Sequence, residues 1–212
     1  MTDTFAMIAT QRRAVADVLE SLSAEEWRTP SLCDQWRVQE LAAHLTMPFR
    51  VSNAKFFLGA LAAGGSIAKV MDKYAKAHSG EAPERLIAFL RDGAESRFVP
   101  PTFPVAASLN EIVVHGFDVA LPTGRHVEVP DDVARRVLEY LVSTRAGTVH
   151  TKRRLAHGVH LVSTDSDWTW GAGPEVRGTN FGLIMTLARR PLGFDHVSGE
   201  GVEVIRRRLT QG

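Results

Sequence analysis

Asn110-Glu111-Ile112-Val113-Val114-His115-Gly116-Phe117-Asp118 and, far upstream, Leu41-Ala42-Ala43-His44-Leu45 both have the composition and apolar spacing of helices. Residues four apart on a helix stand on one face, so Glu111 and His115 converge on a common point. His44, from a second helix, offers a third group of ligating type. Two imidazoles and one carboxylate at one point form a mononuclear divalent-metal site with open positions, the arrangement of catalytic rather than structural zinc. Taken alone, a Glu-x-x-x-His pair is ordinary helix decoration. Here Ile112, Val113 and Val114 flank the pair, and Leu41, Ala42 and Leu45 flank His44. All three groups therefore face an interior that penalises unpaired polar atoms, and a shared ion relieves that penalty. The physical condition is that the two helices pack side by side.

Working outward, the chain reads as helices first and strands last. Phe5 to Leu22 carries Ile8, Val15, Val18, Leu19 and Leu22 at helical spacing and is closed by a capping-box pattern at Ser23-Ala24-Glu25-Glu26. Pro30 to Trp36 is a connector. A second helix starts near Val38, carries His44, meets a kink or break at Pro48 and continues through Phe57 and Leu61 to Gly64-Gly65. Ser66–Ala77, Pro83–Phe98, Ser108–Leu121 and Asp131–Ala146 are further expected helices, with the Pro-rich stretch Pro100 to Pro104 as a rigid break. After about His150 the character changes. Gly158–Ser163, Trp168-Thr169-Trp170 and His196–Gly199 suggest strands, Phe181–Arg190 and Val202–Leu209 helices. The expected class is α+β, a helical bundle over 1–149 followed by a small mixed α/β domain over 150–212.

Composition narrows the function. With 44% hydrophobic side chains in 212 residues the chain can bury a substantial core. Its 25 basic and 24 acidic residues leave +1, so no global field points to nucleic acid or to a membrane as partner. No run of about 18 apolar residues occurs, and Met1-Thr2-Asp3-Thr4 lacks the basic and apolar regions of a signal peptide. One cysteine, Cys33, precludes an internal disulfide and suits a reducing cytoplasm. Asp118, three after His115, can orient its imidazole. Cys33 reads as a small packed hydrophobe, Trp27 and Trp36 as bundle anchors, and His150, His157 and His160 with Lys152-Arg153-Arg154 as a solvated basic patch.

Three stretches carry a family resemblance. Trp27-Arg28-Thr29-Pro30-Ser31-Leu32-Cys33-Asp34-Gln35-Trp36-Arg37-Val38 with Leu41-Ala42-Ala43-His44-Leu45, then Glu111 to Ala120, then the tail through Asp167-Trp168, Gly173 to Gly178 and Leu187-Ala188-Arg189-Arg190 resemble the mycothiol-dependent maleylpyruvate isomerase family. The resemblance implies a DinB-like four-helix bundle, with His44, Glu111 and His115 as zinc ligands and a C-terminal arginine near the pocket, for which Arg190 is the match and Arg189 its rival. It also implies mycothiol as thiol cofactor and a small electrophilic substrate, anionic in the isomerase that names the family.

The resulting expectation is a cytoplasmic, metal-dependent isomerase or S-transferase. An open metal position lowers a thiol's pKa, and the thiolate is the attacking species. Arginine, planar and permanently charged, suits a substrate carboxylate. A metal hydrolase with water in the open position, and a non-catalytic metal-binding stress protein, are the alternatives.

Overall fold

The computed structural model describes residues 3–34, 36–99, 103–143 and 155–210. The chain divides into two compact units, Met1–Glu128 and Val129–Gly212.

The first unit is helical: α1 (Thr4–Glu20), α2 (Val38–Arg50), α3 (Asn53–Ala62), α4 (Ile67–His78), α5 (Pro83–Asp92) and α6 (Val105–Ala120). In α1, Met7, Ile8, Gln11, Arg12, Val15 and Leu19 recur at helical spacing and form its buried side, which packs on α5 and α6. The α2 helix packs on α4, α5 and α6, so α1, α2, α5 and α6 form the four-helix core. The α6 helix is buried on nearly all sides from Leu109 to Ala120. Gly116 sits where α1 crosses it: a Cβ there would stand 2.9 Å from Val15 Cγ2.

Several helix ends differ from the expectation for local reasons. The helix expected to run to Phe98 stops at Asp92, because the buried Arg12 guanidinium donates to the carbonyls of Gly93, Ala94 and Ser96 at 3.2, 3.0 and 2.9 Å. The Ser23–Glu26 capping box is present, with Glu26 N donating to Ser23 Oγ at 3.3 Å and Ser23 N to Glu26 Oε2 at 2.7 Å. It opens the short 3-10 turn Glu26–Arg28. Pro48 lies within α2, which continues to Arg50; the break comes at Val51, and Ser52 caps α3 by accepting from Lys55 N.

The second unit holds α7 (Asp131–Leu141), β1 (His160–Ser163), β2 (Thr169–Gly171), β3 (Glu175–Gly178), α8 (Asn180–Leu187), a 3-10 turn over Pro191–His196, β4 (Val197–Ser198) and α9 (Gly201–Thr210). The sheet order is β2-β1-β3-β4, with β1 and β3 parallel and both outer pairs antiparallel. The sequence reading missed β3. Its four residues carry no alternation long enough to see, and it is held by pairing on both edges with Val176 fully buried. The first compact unit ends at Glu128, so α7 lies in the second, where it packs on α8 and buries Val133, Val137 and Leu141. An amphipathic stripe states that a helix must be covered, not by what.

The α8 helix stops at Leu187 rather than Arg190. Arg190 N donates to Met185 O at 2.8 Å and Arg189 N to Thr186 O at 3.1 Å, a Schellman turn with Arg189 in the left-handed region at φ 66°.

Two substitutions test these contacts. Gly116→Val should destabilise the protein by about 1–3 kcal/mol through overpacking against Val15. Arg189→Gly should stabilise it by up to about 1 kcal/mol by relieving the left-handed backbone. Thermal unfolding should therefore move the two midpoints in opposite directions.

Candidate metal centre

The centre lies in the first unit, where α2 and α6 pack together. Burial of α2 along Leu41, Ala42 and Leu45 carries His44 inward, and the apolar residues around Glu111 and His115 do the same for α6. His44 and His115 are buried, Glu111 half-buried. One ligating atom from each of His44, Glu111 and His115 lies within 4.8 Å of the other two. His44 Nε2 is 2.7 Å from Glu111 Oε1, and His115 Nε2 is 3.5 Å from the same oxygen. The two imidazole rings meet edge to face with centroids 5.3 Å apart. The helix spacing and the helix packing together thus produce the convergence expected from the sequence. The donor set of two imidazoles and one carboxylate fits a divalent ion of zinc type.

Asp118 completes the arrangement. It is fully buried, and its Oδ2 accepts from His115 Nδ1 at 2.9 Å. That bond fixes the ring and leaves Nε2 directed at Glu111, the role that histidine ligands need from a neighbour. Burial alone would push the His115 pKa down, but hydrogen bonds to Asp118 and Glu111, and their charges, prevail and raise it to about 9.

Two residues stand closer to the centre than the sequence reading placed them. Ser31 Oγ donates to Trp36 O at 2.8 Å and Val38 N to Thr29 O at 2.9 Å, and these bonds hold the two sides of the connector together. Leu32 N donates to the Asp118 carbonyl at 3.2 Å, tying the loop to the end of α6. Consequently Cys33 offers its sulfur within 4.8 Å of ligating atoms of His115 and Asp118. The Trp36 ring packs on His44 at a centroid distance of 4.9 Å, and its Nε1 donates to Asp72 Oδ1 at 3.0 Å. Trp36 is therefore a wall of the centre, while Trp27 is a buried anchor. Proximity in sequence to His44 was the signal available for both Cys33 and Trp36.

Arg190 belongs to the second unit, just past α8, where its Nη1 donates to Ala188 O at 3.1 Å. Of the residues read as a basic patch, His150 and Lys152-Arg153-Arg154 lie outside the described residues. His157 is exposed and His160 begins β1.

Residues 8–99 match the mycothiol maleylpyruvate isomerase N-terminal domain family, a span that contains His44 and ends before Glu111. The fold is similar to that of two solved structures, both of the mycothiol-dependent maleylpyruvate isomerase, one of them a histidine-to-alanine mutant. They superpose with TM-scores of 0.62 and, for the mutant, 0.64, at 14% and 13% sequence identity. Each comparison covers 93% of this chain and 91% of the other. No curated protein sequence matches the chain. Residues 8–99 are thus similar to the mycothiol maleylpyruvate isomerase N-terminal domain, and the fold of the chain is similar to that of the isomerase.

Proposed function

We propose that this protein is a metal-dependent enzyme that activates a low-molecular-weight thiol, mycothiol, for isomerisation of, or transfer to, a small electrophile. The observation that carries this reading is the convergence of His44, Glu111 and His115 within 4.8 Å on two buried helices. The similarity of residues 8–99 to the mycothiol maleylpyruvate isomerase N-terminal domain supports the choice of thiol. A divalent ion held by these residues would supply Lewis acidity that lowers the pKa of a bound thiol toward neutrality.

The chain's own residues then set the conditions. Asp118 keeps a proton on His115 Nδ1 and so presents Nε2 to the site. Trp36 covers His44 and limits water on that side. In a maleylpyruvate-type reaction the thiolate sulfur adds to the activated double bond and the electron pair moves onto the adjacent carbonyl. Rotation about the new single bond and expulsion of the thiolate then give the trans alkene, with the thiol regenerated. In an S-transferase the carbon–sulfur bond would persist. Arg190 is assigned the substrate carboxylate, since a guanidinium makes paired hydrogen bonds to it.

Ligation is tested first. His44→Ala should abolish zinc binding with circular dichroism unchanged, and Asp118→Asn should weaken it by about 10- to 100-fold; zinc retained at one per chain in the His44 variant overturns the site. Turnover is tested by incubating zinc-loaded protein with mycothiol and maleylpyruvate. Conversion should require both metal and thiol, and Arg190→Ala should raise KM for carboxylate-bearing substrates by about tenfold or more while sparing zinc binding. Equal turnover without thiol overturns the thiol mechanism in favour of hydrolysis.

A further inference from the structure

Phe57, Leu58 and Leu61 of α3 are 64%, 63% and 61% exposed, well above Leu121, the other large exposed apolar side chain among the described residues, at 37%. They occupy one stripe of the helix, being spaced by one and four residues. None of the described side chains of α3 is buried, so the core does not account for this apolar content. The side of α3 that meets its neighbour is the opposite one: Gly59 approaches Val70 of α4, its Cβ position 3.5 Å from Val70 Cγ1. The stripe therefore faces away from α4.

Charge gathers in the same stretch of chain. Residues 51–80 hold four of the chain's five lysines, Lys55, Lys69, Lys73 and Lys76, against the single acid Asp72. This segment carries +3 in a chain whose total is +1, which leaves −2 for the remainder. Lys69, Lys73 and Lys76, spaced four and three apart, lie along one exposed face of α4, while Ala75 is buried on the side packed toward α2.

We infer that the α3–α4 segment is a docking surface for anionic phospholipid bilayers, with Phe57, Leu58 and Leu61 entering the headgroup boundary and Lys55, Lys69 and Lys73 meeting lipid phosphates, Lys76 being paired with Asp72 at 2.9 Å. Exposed apolar side chains beside lysines are the pattern of a helix lying in the membrane interface, where lysine stems extend along apolar surface and hold their charge in water. Each lysine near an anionic surface contributes roughly a fivefold gain in partitioning. Spanning is not implied: among the described residues no single helix is long and apolar enough, and α3 and α4 are bent by 110°. A second copy of the chain fits less well, because protein interfaces are depleted in lysine and a two-fold contact would bring like patches together. The expectation of no membrane partner rested on total charge, whereas the attraction is local. This inference stands on the surface alone and is independent of the proposed reaction.

Full-length protein should co-sediment with vesicles of equal parts phosphatidylcholine and phosphatidylglycerol at least tenfold more than with pure phosphatidylcholine, and less so as salt is raised. Lys69→Glu with Lys73→Glu, and separately Phe57→Ser with Leu61→Ser, should each reduce that binding about tenfold or more, with unchanged circular dichroism and zinc content. No binding, or equal binding to both vesicle types, overturns the inference. So does a dimer in solution that Phe57→Ser with Leu61→Ser splits, which would make the face a self-interface.

Discussion

The rest of the site depends on one buried hydrogen bond, from His115 Nδ1 to the fully buried Asp118 carboxylate at 2.9 Å. A carboxylate in the interior costs several kcal/mol unless it is partnered, and here the partner is a ring three residues back on the same helix. Because both groups are on α6, the geometry is a property of one rigid element. What the packing of α2 adds is the third group, His44, brought to 2.7 Å from Glu111. The raised His115 pKa follows from the same arrangement, since two carboxylates outweigh the burial that disfavours a charged ring. His44, Glu111 and His115 thus each present a ligating atom toward one point.

This arrangement explains which parts were legible in the sequence. Glu111, His115 and Asp118 were readable because a helix fixes the directions of residues three and four apart whatever surrounds it. His44 was readable as a buried polar group in an apolar run, but its partner was a matter of helix packing, to which the family resemblance contributed. Loop residues follow no such period. Cys33 and Trp36 reach the centre through a turn held by Ser31 and by the Leu32 amide on the Asp118 carbonyl, and those bonds leave no periodic trace in the sequence. Likewise α7 showed a clear apolar stripe without naming its neighbour, and β3 was too short to show a pattern. Arg12 was missed for a related reason: its role as a cap for the carbonyls after α5 spans more than eighty positions of chain.

The surroundings of the centre also bear on reactivity. A free cysteine packed far from polar groups behaves as a small hydrophobe, the reading its isolation in the sequence suggested. The structure instead sets the Cys33 sulfur within 4.8 Å of ligating atoms of His115 and Asp118, on a loop that Leu32 fastens to α6. Its neighbours are the groups that orient one side of the candidate ligand set. Cys33, His115 and Asp118 are themselves a group that could hold an ion, so substitution at Cys33 would act directly beside the His115–Asp118 pair.

The assignment of roles falls along the division of the chain. Every group proposed to hold the ion, together with the loop that walls it, is in Met1–Glu128, where helices impose fixed directions on side chains. The group proposed to read the substrate, Arg190, is in Val129–Gly212, immediately after a residue in a left-handed conformation that an arginine adopts only at a cost. Strained positions persist where the surrounding structure over-determines them, and here the two hydrogen bonds of the Schellman turn do so. The buried carboxylate–imidazole pair and the strained Arg189 turn share no helix, so each is held by the packing of its own unit.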